Sequence, residues 1–153
     1  MRPGSSDPFD PARILELLAR EGVDFVLIGG VAAGAHGSSY WTFDVDLAYS
    51  SEPENVERVT AALRSIGGDT LEADGDTSLR TRLGAMDLHA HPAGAPAYEQ
   101  LRAAATVIDV RGLPVRVASL DHLIAMKEAS ARTRDKLLAT EYRVLADEIR
   151  RPR

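Results

Sequence analysis

The feature that most constrains this chain is an apolar run that ends in two glycines and is followed, thirteen residues later, by a second apolar run headed by paired carboxylates. Val26-Leu27-Ile28-Gly29-Gly30 opens the stretch, and Asp44-Val45-Asp46-Leu47 closes it. Short apolar runs bounded by glycine read as buried strands. The small residues of "VAAGAHG" between them predict a short helix that packs close to its neighbours. Strand side chains alternate between faces. Val45 and Leu47 therefore turn into a core, and Asp44 and Asp46 share the opposite face.

The same alternation applied to "AMDLHAH" sends Met86, Leu88 and Ala90 to one side and Asp87, His89 and His91 to the other. If the strands holding Asp44, Asp46 and Asp87 are neighbours, three carboxylates gather on one face of a sheet. Anions so close repel one another and raise their pKa values unless a cation joins them. Hard oxygen ligands favour Mg²⁺ or Mn²⁺. Gly29 and Gly30 supply a complementary half. They end a strand where a helix begins, so a phosphate can approach the backbone and meet the free N–H groups of the first turn. Carboxylate-held metal beside a phosphate-binding helix start is an arrangement for phosphoryl or nucleotidyl transfer. Two other phosphate motifs fit less well. The dinucleotide fingerprint needs glycine where Val31 stands, and a P-loop needs Lys and Ser or Thr where Ala35 and His36 follow Gly34.

Elsewhere the pattern mixes helices and strands. Asp10 and Pro11 predict an N-cap and a first-turn proline, with Ile14, Leu15, Leu17 and Leu18 on the apolar face and Gly22 as the stop. Ser51 and Glu54 read as a capping box for a helix carrying Val56, Val59, Leu63 and Ile66 and ending at Gly67-Gly68. "SLRTRL" and "AMDLHAH", joined by Gly84, predict a hairpin, in which Arg80 and Arg82 share a face. A helix follows from Pro96 to Ala105. "TVIDV" and "PVRVAS" form a second hairpin, Ser119 caps a helix through Leu123, Ile124 and Met126, and a last helix covers Arg134 to Ile149. Without a regular βαβ repeat, the expected class is α/β or α+β with a mixed sheet.

The chain length of 153 residues suits one domain, read as 11–150 behind a loose, turn-rich tail over 1–10. No run is apolar enough to span a bilayer, and the start lacks the apolar middle of a secretory signal, so a cytoplasmic protein with no membrane partner is expected. The absence of cysteine excludes thiolate metal sites. A net charge of -5 argues against bulk electrostatic coating of nucleic acid, although Ser119 onward carries eight Lys or Arg against six Asp or Glu.

These residues resemble the signature of the nucleotidyltransferase superfamily related to DNA polymerase beta, in which Gly-Gly or Gly-Ser precedes Asp-x-Asp and a third carboxylate sits on a later strand, here Asp87. "VASLDHLIAMKEASARTRD" is similar to the C-terminal motif of minimal nucleotidyltransferases and AbiEii-type toxins, with Ser119, Lys127, Arg132, Arg134 and Asp135 on the pattern. Two positions depart from it. Tyr40 stands where members carry Arg, and "KLLATE" replaces an acidic segment after Asp135.

The resemblance implies a mixed-sheet nucleotidyltransferase fold flanked by helices, and a reaction in which an acceptor hydroxyl attacks the α-phosphate of an NTP. Asp44, Asp46 and Asp87 would hold the metal, and Asp87 would help deprotonate the acceptor. Gly29, Gly30, Thr42, Lys127, Arg132 and Asp135 would bind nucleotide. RNA or tRNA, a protein or a small molecule would accept the group, and a type IV toxin–antitoxin role would bring a cognate toxin or antitoxin. Two other readings stand beside it: a non-catalytic nucleotide- or partner-binding module of the same fold, and a transition-metal site made by Asp87, His89 and His91.

Overall fold

The structure is a computed structural model that describes residues 9–39, 42, 44–67 and 76–152. The helices are α1 (Pro11–Arg20), α2 (Gly29–Ala35), α3 (Pro53–Ser65), α4 (Tyr98–Ala104), α5 (Leu120–Glu128) and α6 (Thr133–Arg150). The strands are β1 (Phe25–Ile28), β2 (Asp44–Tyr49), β3 (Asp76–Thr81), β4 (Gly84–His89), β5 (Thr106–Val110) and β6 (Leu113–Val117). All six strands form one mixed sheet in the order β3-β4-β2-β1-β6-β5. β2 runs parallel to β4 and antiparallel to β1, while β1 pairs in parallel with β6. The expected α/β class with a mixed sheet is therefore correct. Trp41, Tyr40, Gly68 and the first eight residues of the expected tail lie outside the described residues.

Helix α1 begins as its sequence dictates. The Asp10 carboxylate accepts from the Arg13 N–H at 3.1 Å, and Pro11 occupies the first turn. Its apolar face is buried through Ile14, Leu15, Leu17 and Leu18. Central strand β1 is buried throughout, as a strand between two others and beneath helices requires. On β2, Val45 and Leu47 are inaccessible to solvent; on β4, Met86, Leu88 and Ala90 are buried as alternation predicts. Several predicted elements differ at their starts by one or two residues, as β3 does in beginning at Asp76 and not Ser78. The helix expected at Pro96 begins at Tyr98, and α2 begins at Gly29 itself.

The capping box expected at Ser51 and Glu54 does not form. Pro53 takes the first helical position, which makes Glu52 the cap residue, and no side chain caps the end. Proline's fixed φ suits that first position and sets the helix start there. The local donors and acceptors go to Asn55 instead, which is 3% exposed. Its amide accepts from the Asp24 N–H at 2.7 Å and donates to the Asp24 and Ser50 carbonyls at 3.0 and 2.8 Å. This ties the entrance of β1 to the exit of β2.

The β3–β4 hairpin turns through Arg82 and Leu83, so Arg82 is not on the strand face with Arg80. The Arg82 guanidinium donates to the Ser65 carbonyl at the end of α3. Gly84 has φ +126°, and a Cβ there would lie 2.7 Å from Phe9 Cδ1. The Asp10 N–H also donates to the Leu83 carbonyl at 2.9 Å. The turn is thus clamped on one side by the chain start and on the other by α3.

Candidate functional site

The carboxylates meet because β2 and β4 are neighbours in register. Asp46 pairs with Asp87, and Asp44 with Ala85. Asp44, Asp46 and Asp87 each offer an oxygen, and these oxygens lie within 4.8 Å of one another. Among the described residues they form the one such acidic or histidine cluster, which answers the Asp87–His89–His91 alternative: the partners of Asp87 are aspartates, not histidines. His89 lies at the rim, 4.0 Å from Asp46 and 3.7 Å from Asp76.

Asp46 and Asp87 do not titrate alike. Burial pushes Asp46 up to about 8, reinforced by its hydrogen bond with Asp87 and by the charges of Asp44 and Asp87; Lys127 pulls in the opposite direction. Burial also raises Asp87, but hydrogen bonding with Ser78, which donates, and with the neighbouring carboxyl groups outweighs it and holds Asp87 below the usual carboxylate range. One proton thus settles on the central carboxylate, which is how crowded anions relieve repulsion when no cation is present. A hard divalent cation removes that need. The all-oxygen donor set fits Mg²⁺ or Mn²⁺.

The two glycines make this crowding sterically feasible. Gly29 adopts φ +70°, and a Cβ on it would run into the Asp46 carboxylate and sit 2.7 Å from Asp46 Cβ. A Cβ on Gly30 would lie 2.8 Å from Thr42 Cβ. The start of α2 therefore packs directly against the carboxylate strand. Thr42 in turn donates its hydroxyl to Asp44 Oδ1 at 2.8 Å.

A cleft of about 460 Å³ opens over the cluster. Gly29, Gly30, Thr42, Asp44, Asp46 and Asp87 line one side. Lys127, Arg132, Arg134 and Asp135, from the end of α5 and the start of α6, line the other. All the candidate metal and nucleotide residues read from the sequence therefore border one space. Lys127 Nζ lies 3.5 Å from Asp135 Oδ1, and the Ser130 hydroxyl donates to Asp135 Oδ2 at 2.6 Å. The Ser130 hydroxyl, with Lys127 and Arg132, keeps Asp135 below the ordinary range against the effect of burial. Lys127 and Asp135 thus face the cleft and also join α5 to α6. Ser119 lies away from the cleft as the cap of α5, accepting from the His122 N–H at 3.2 Å. His36, which ends α2, hydrogen-bonds the Ala118 carbonyl at 2.8 Å, a structural tie and not a catalytic position.

Two further cleft residues, Ser78 and Tyr142, are not among those the sequence pattern marks. Ser78 has a usable signal: a two-residue turn at Arg82-Leu83 sets it opposite Asp87. Tyr142 has none, because its position depends on how α6 packs against α5 beside the cleft. It is 2% exposed, and burial, with Asp135, Glu141 and Asp46 nearby, pushes its phenol up to about 12.

No family model matches this sequence, and no curated protein does. Solved structures do match. ANT(2")-Ia in complex with adenylyl-2"-tobramycin aligns with a TM-score of 0.64 at 21% identity, over 89% of this chain and 84% of that one. The lincosamide antibiotic adenylyltransferase LnuA, lincomycin-bound, aligns with a TM-score of 0.66 at 15% identity, over 91% and 99%. An antigenic nucleotidyltransferase-like protein from Paracoccidioides brasiliensis aligns with a TM-score of 0.56 at 15% identity, over 95% and 80%. The chain has the nucleotidyltransferase fold. Within that fold, the Asp44-Val45-Asp46 strand and the Asp87 strand lie side by side beneath the cleft. Among the described residues, no helix is long and apolar enough to cross a membrane.

Proposed function

We propose that this protein is a metal-dependent nucleotidyltransferase that moves a nucleoside monophosphate from an NTP to an acceptor hydroxyl. The observation that carries this reading is the convergence of three carboxylate oxygens within 4.8 Å, at one side of a cleft whose other side holds Lys127, Arg132 and Arg134. Bound Mg²⁺ or Mn²⁺ supplies charge neutralisation to the triphosphate. Asp44, Asp46 and Asp87 would hold it, and Asp87 would accept the acceptor's proton. The acceptor oxygen bonds to the α-phosphorus, the bond from the α-phosphorus to the bridging oxygen breaks, and pyrophosphate leaves with that electron pair. Lys127 and Arg132 offset the triphosphate charge across the cleft, and Asp135 orients Lys127. Gly29 and Gly30 let the phosphates approach the start of α2, beside Thr42.

The presence of all three carboxylates in one cluster favours this enzyme over a non-catalytic binding module. Two kinds of acceptor follow from two observations. The antibiotic adenylyltransferases among the structural neighbours favour a small hydroxylated molecule. The resemblance of residues 117–135 to AbiEii-type and minimal nucleotidyltransferases favours RNA, tRNA or a partner protein within a toxin–antitoxin pair. On this reading residues 11–150 act as one domain in the cytoplasm, where NTPs are available.

The test is to incubate the protein with Mg²⁺, each labelled NTP and a panel of aminoglycosides, lincosamides, tRNA and proteins, beside an Asp44→Ala/Asp46→Ala variant. Label transfer by the wild type alone is the expected result. Transfer that survives the double substitution would refute the role of the carboxylates, and absence of transfer to any acceptor would leave the binding module as the better reading.

A further inference from the structure

We infer that Ser78 is a positioning residue that fixes the third carboxylate, Asp87, for metal binding; this rests on the nucleotidyltransferase reading above. Ser78 lies on β3, the edge strand of the sheet, and is the cross-strand partner of Asp87 on β4. In an antiparallel pair, directly opposed residues share a face and their side chains lie close. Ser78 Oγ donates to Asp87 Oδ1 at 2.5 Å and lines the same cleft. The bond sets the rotation of the carboxylate, which a lone Asp side chain does not fix for itself.

The far side of the cluster repeats the device. Thr42 Oγ1 donates to Asp44 Oδ1 at 2.8 Å. Each outer carboxylate is thus held at Oδ1 by a hydroxyl from outside its own strand, while the central Asp46 is backed by Gly29. Hydroxyls that orient metal ligands in this way commonly contribute about tenfold or more to metal affinity. Ser78 is solvent-exposed on an edge strand, so removing its hydroxyl empties no core space.

The experiment is titration of the full chain with Mn²⁺ alone, followed by electron paramagnetic resonance, for wild type, Ser78→Ala, Ser78→Thr and Asp87→Ala. Melting temperatures in EDTA are recorded for each. Ser78→Ala is expected to weaken Mn²⁺ binding about tenfold with an unchanged melting temperature, and Ser78→Thr, which keeps the hydroxyl, to restore it. Wild-type affinity in Ser78→Ala, or a Ser78→Thr as weak as Ser78→Ala, would overturn the inference. If Asp87→Ala abolishes binding while Ser78→Ala does not change it, only the role of Ser78 fails. If the wild type binds no Mn²⁺, the inference and the metal-dependent reading fail together.

Discussion

Asp46 stands directly across from Asp87 in the parallel β2–β4 ladder. This single register position brings together carboxylates from strands that are separated in sequence by α3 and β3, and it adds to the burial that raises the pKa of the central one. The consequences reach stability, metal binding and catalysis.

Metal-free protein should lose stability as pH rises. Asp46 has its folded-state pKa raised to about 8, so its contribution is fully present below the ordinary carboxylate pKa and is lost as pH climbs through about 8. Asp87, held low, has the opposite sign, and its contribution is lost only as pH falls through the acid range. Between the ordinary carboxylate pKa of about 4 and about pH 8 the unfolded chain has lost the Asp46 proton that the folded one keeps, so the Asp46 effect governs this pair there. Thermal melts in EDTA should show a falling melting temperature over that window, Mg²⁺ should flatten the fall, and Asp46→Asn should remove it. A melting temperature that rises with pH in EDTA would contradict the linkage.

The glycines should respond in opposite directions to the same added methyl. Gly29→Ala places a Cβ against Asp46 at φ +70°, so a loss of about 2–4 kcal/mol is expected, from the backbone conformation and the displaced carboxylate together. Gly34 sits exposed on α2, and a methyl there would meet nothing within 4 Å. Gly34→Ala should stabilise by about 0.5–1 kcal/mol through the usual helix preference. Urea unfolding of both variants checks the pair.

Asn55→Ala should cost about 2–3 kcal/mol, because it strands the Asp24 N–H and the Ser50 carbonyl, while the Asp24 carbonyl keeps the Ser50 N–H. The variant removes a tie between β1 and β2 remote from the carboxylates, so Mg²⁺ affinity of the folded protein should be unchanged. Unfolding by urea combined with Mg²⁺ titration separates the two effects.

Lys127→Met should raise KM for the NTP about tenfold, or about 1.4 kcal/mol, with a smaller fall in kcat. The side chain lines the cleft and influences Asp46, but it also pairs with Asp135. A lower melting temperature with an unchanged KM would assign Lys127 to joining α5 and α6 alone.

Alternation makes the sides of β2 and β4 readable, since Val45, Leu47, Met86 and Leu88 repeat every second residue and Asp44, Asp46 and Asp87 fall between them. What alternation does not carry is which strands are neighbours. The β2–β4 pairing is parallel and long-range, and it emerges from the sequence only through resemblance to a known motif. The steric meaning of Gly29 and Gly30 is hidden for the same reason: Asp46 and Thr42 reach them from another part of the chain. At Ser51, a local pattern is present but Pro53 overrides it, because a proline that fits the first helical position sets the start of the helix. Tyr142 is not legible because the placement of α6 beside the cleft depends on packing against α5 and not on local periodicity.

The central claim is that carboxylates and cations around one cleft bind a metal–nucleotide complex. Calorimetric titration of each NTP into the protein, with Mg²⁺ and then with EDTA, tests it directly, with Asp44→Ala/Asp46→Ala in parallel. Saturable binding of at least one NTP that requires Mg²⁺ and disappears in the double variant is the predicted result. Binding of equal strength in EDTA or in the double variant, or no binding of any NTP, would contradict the account.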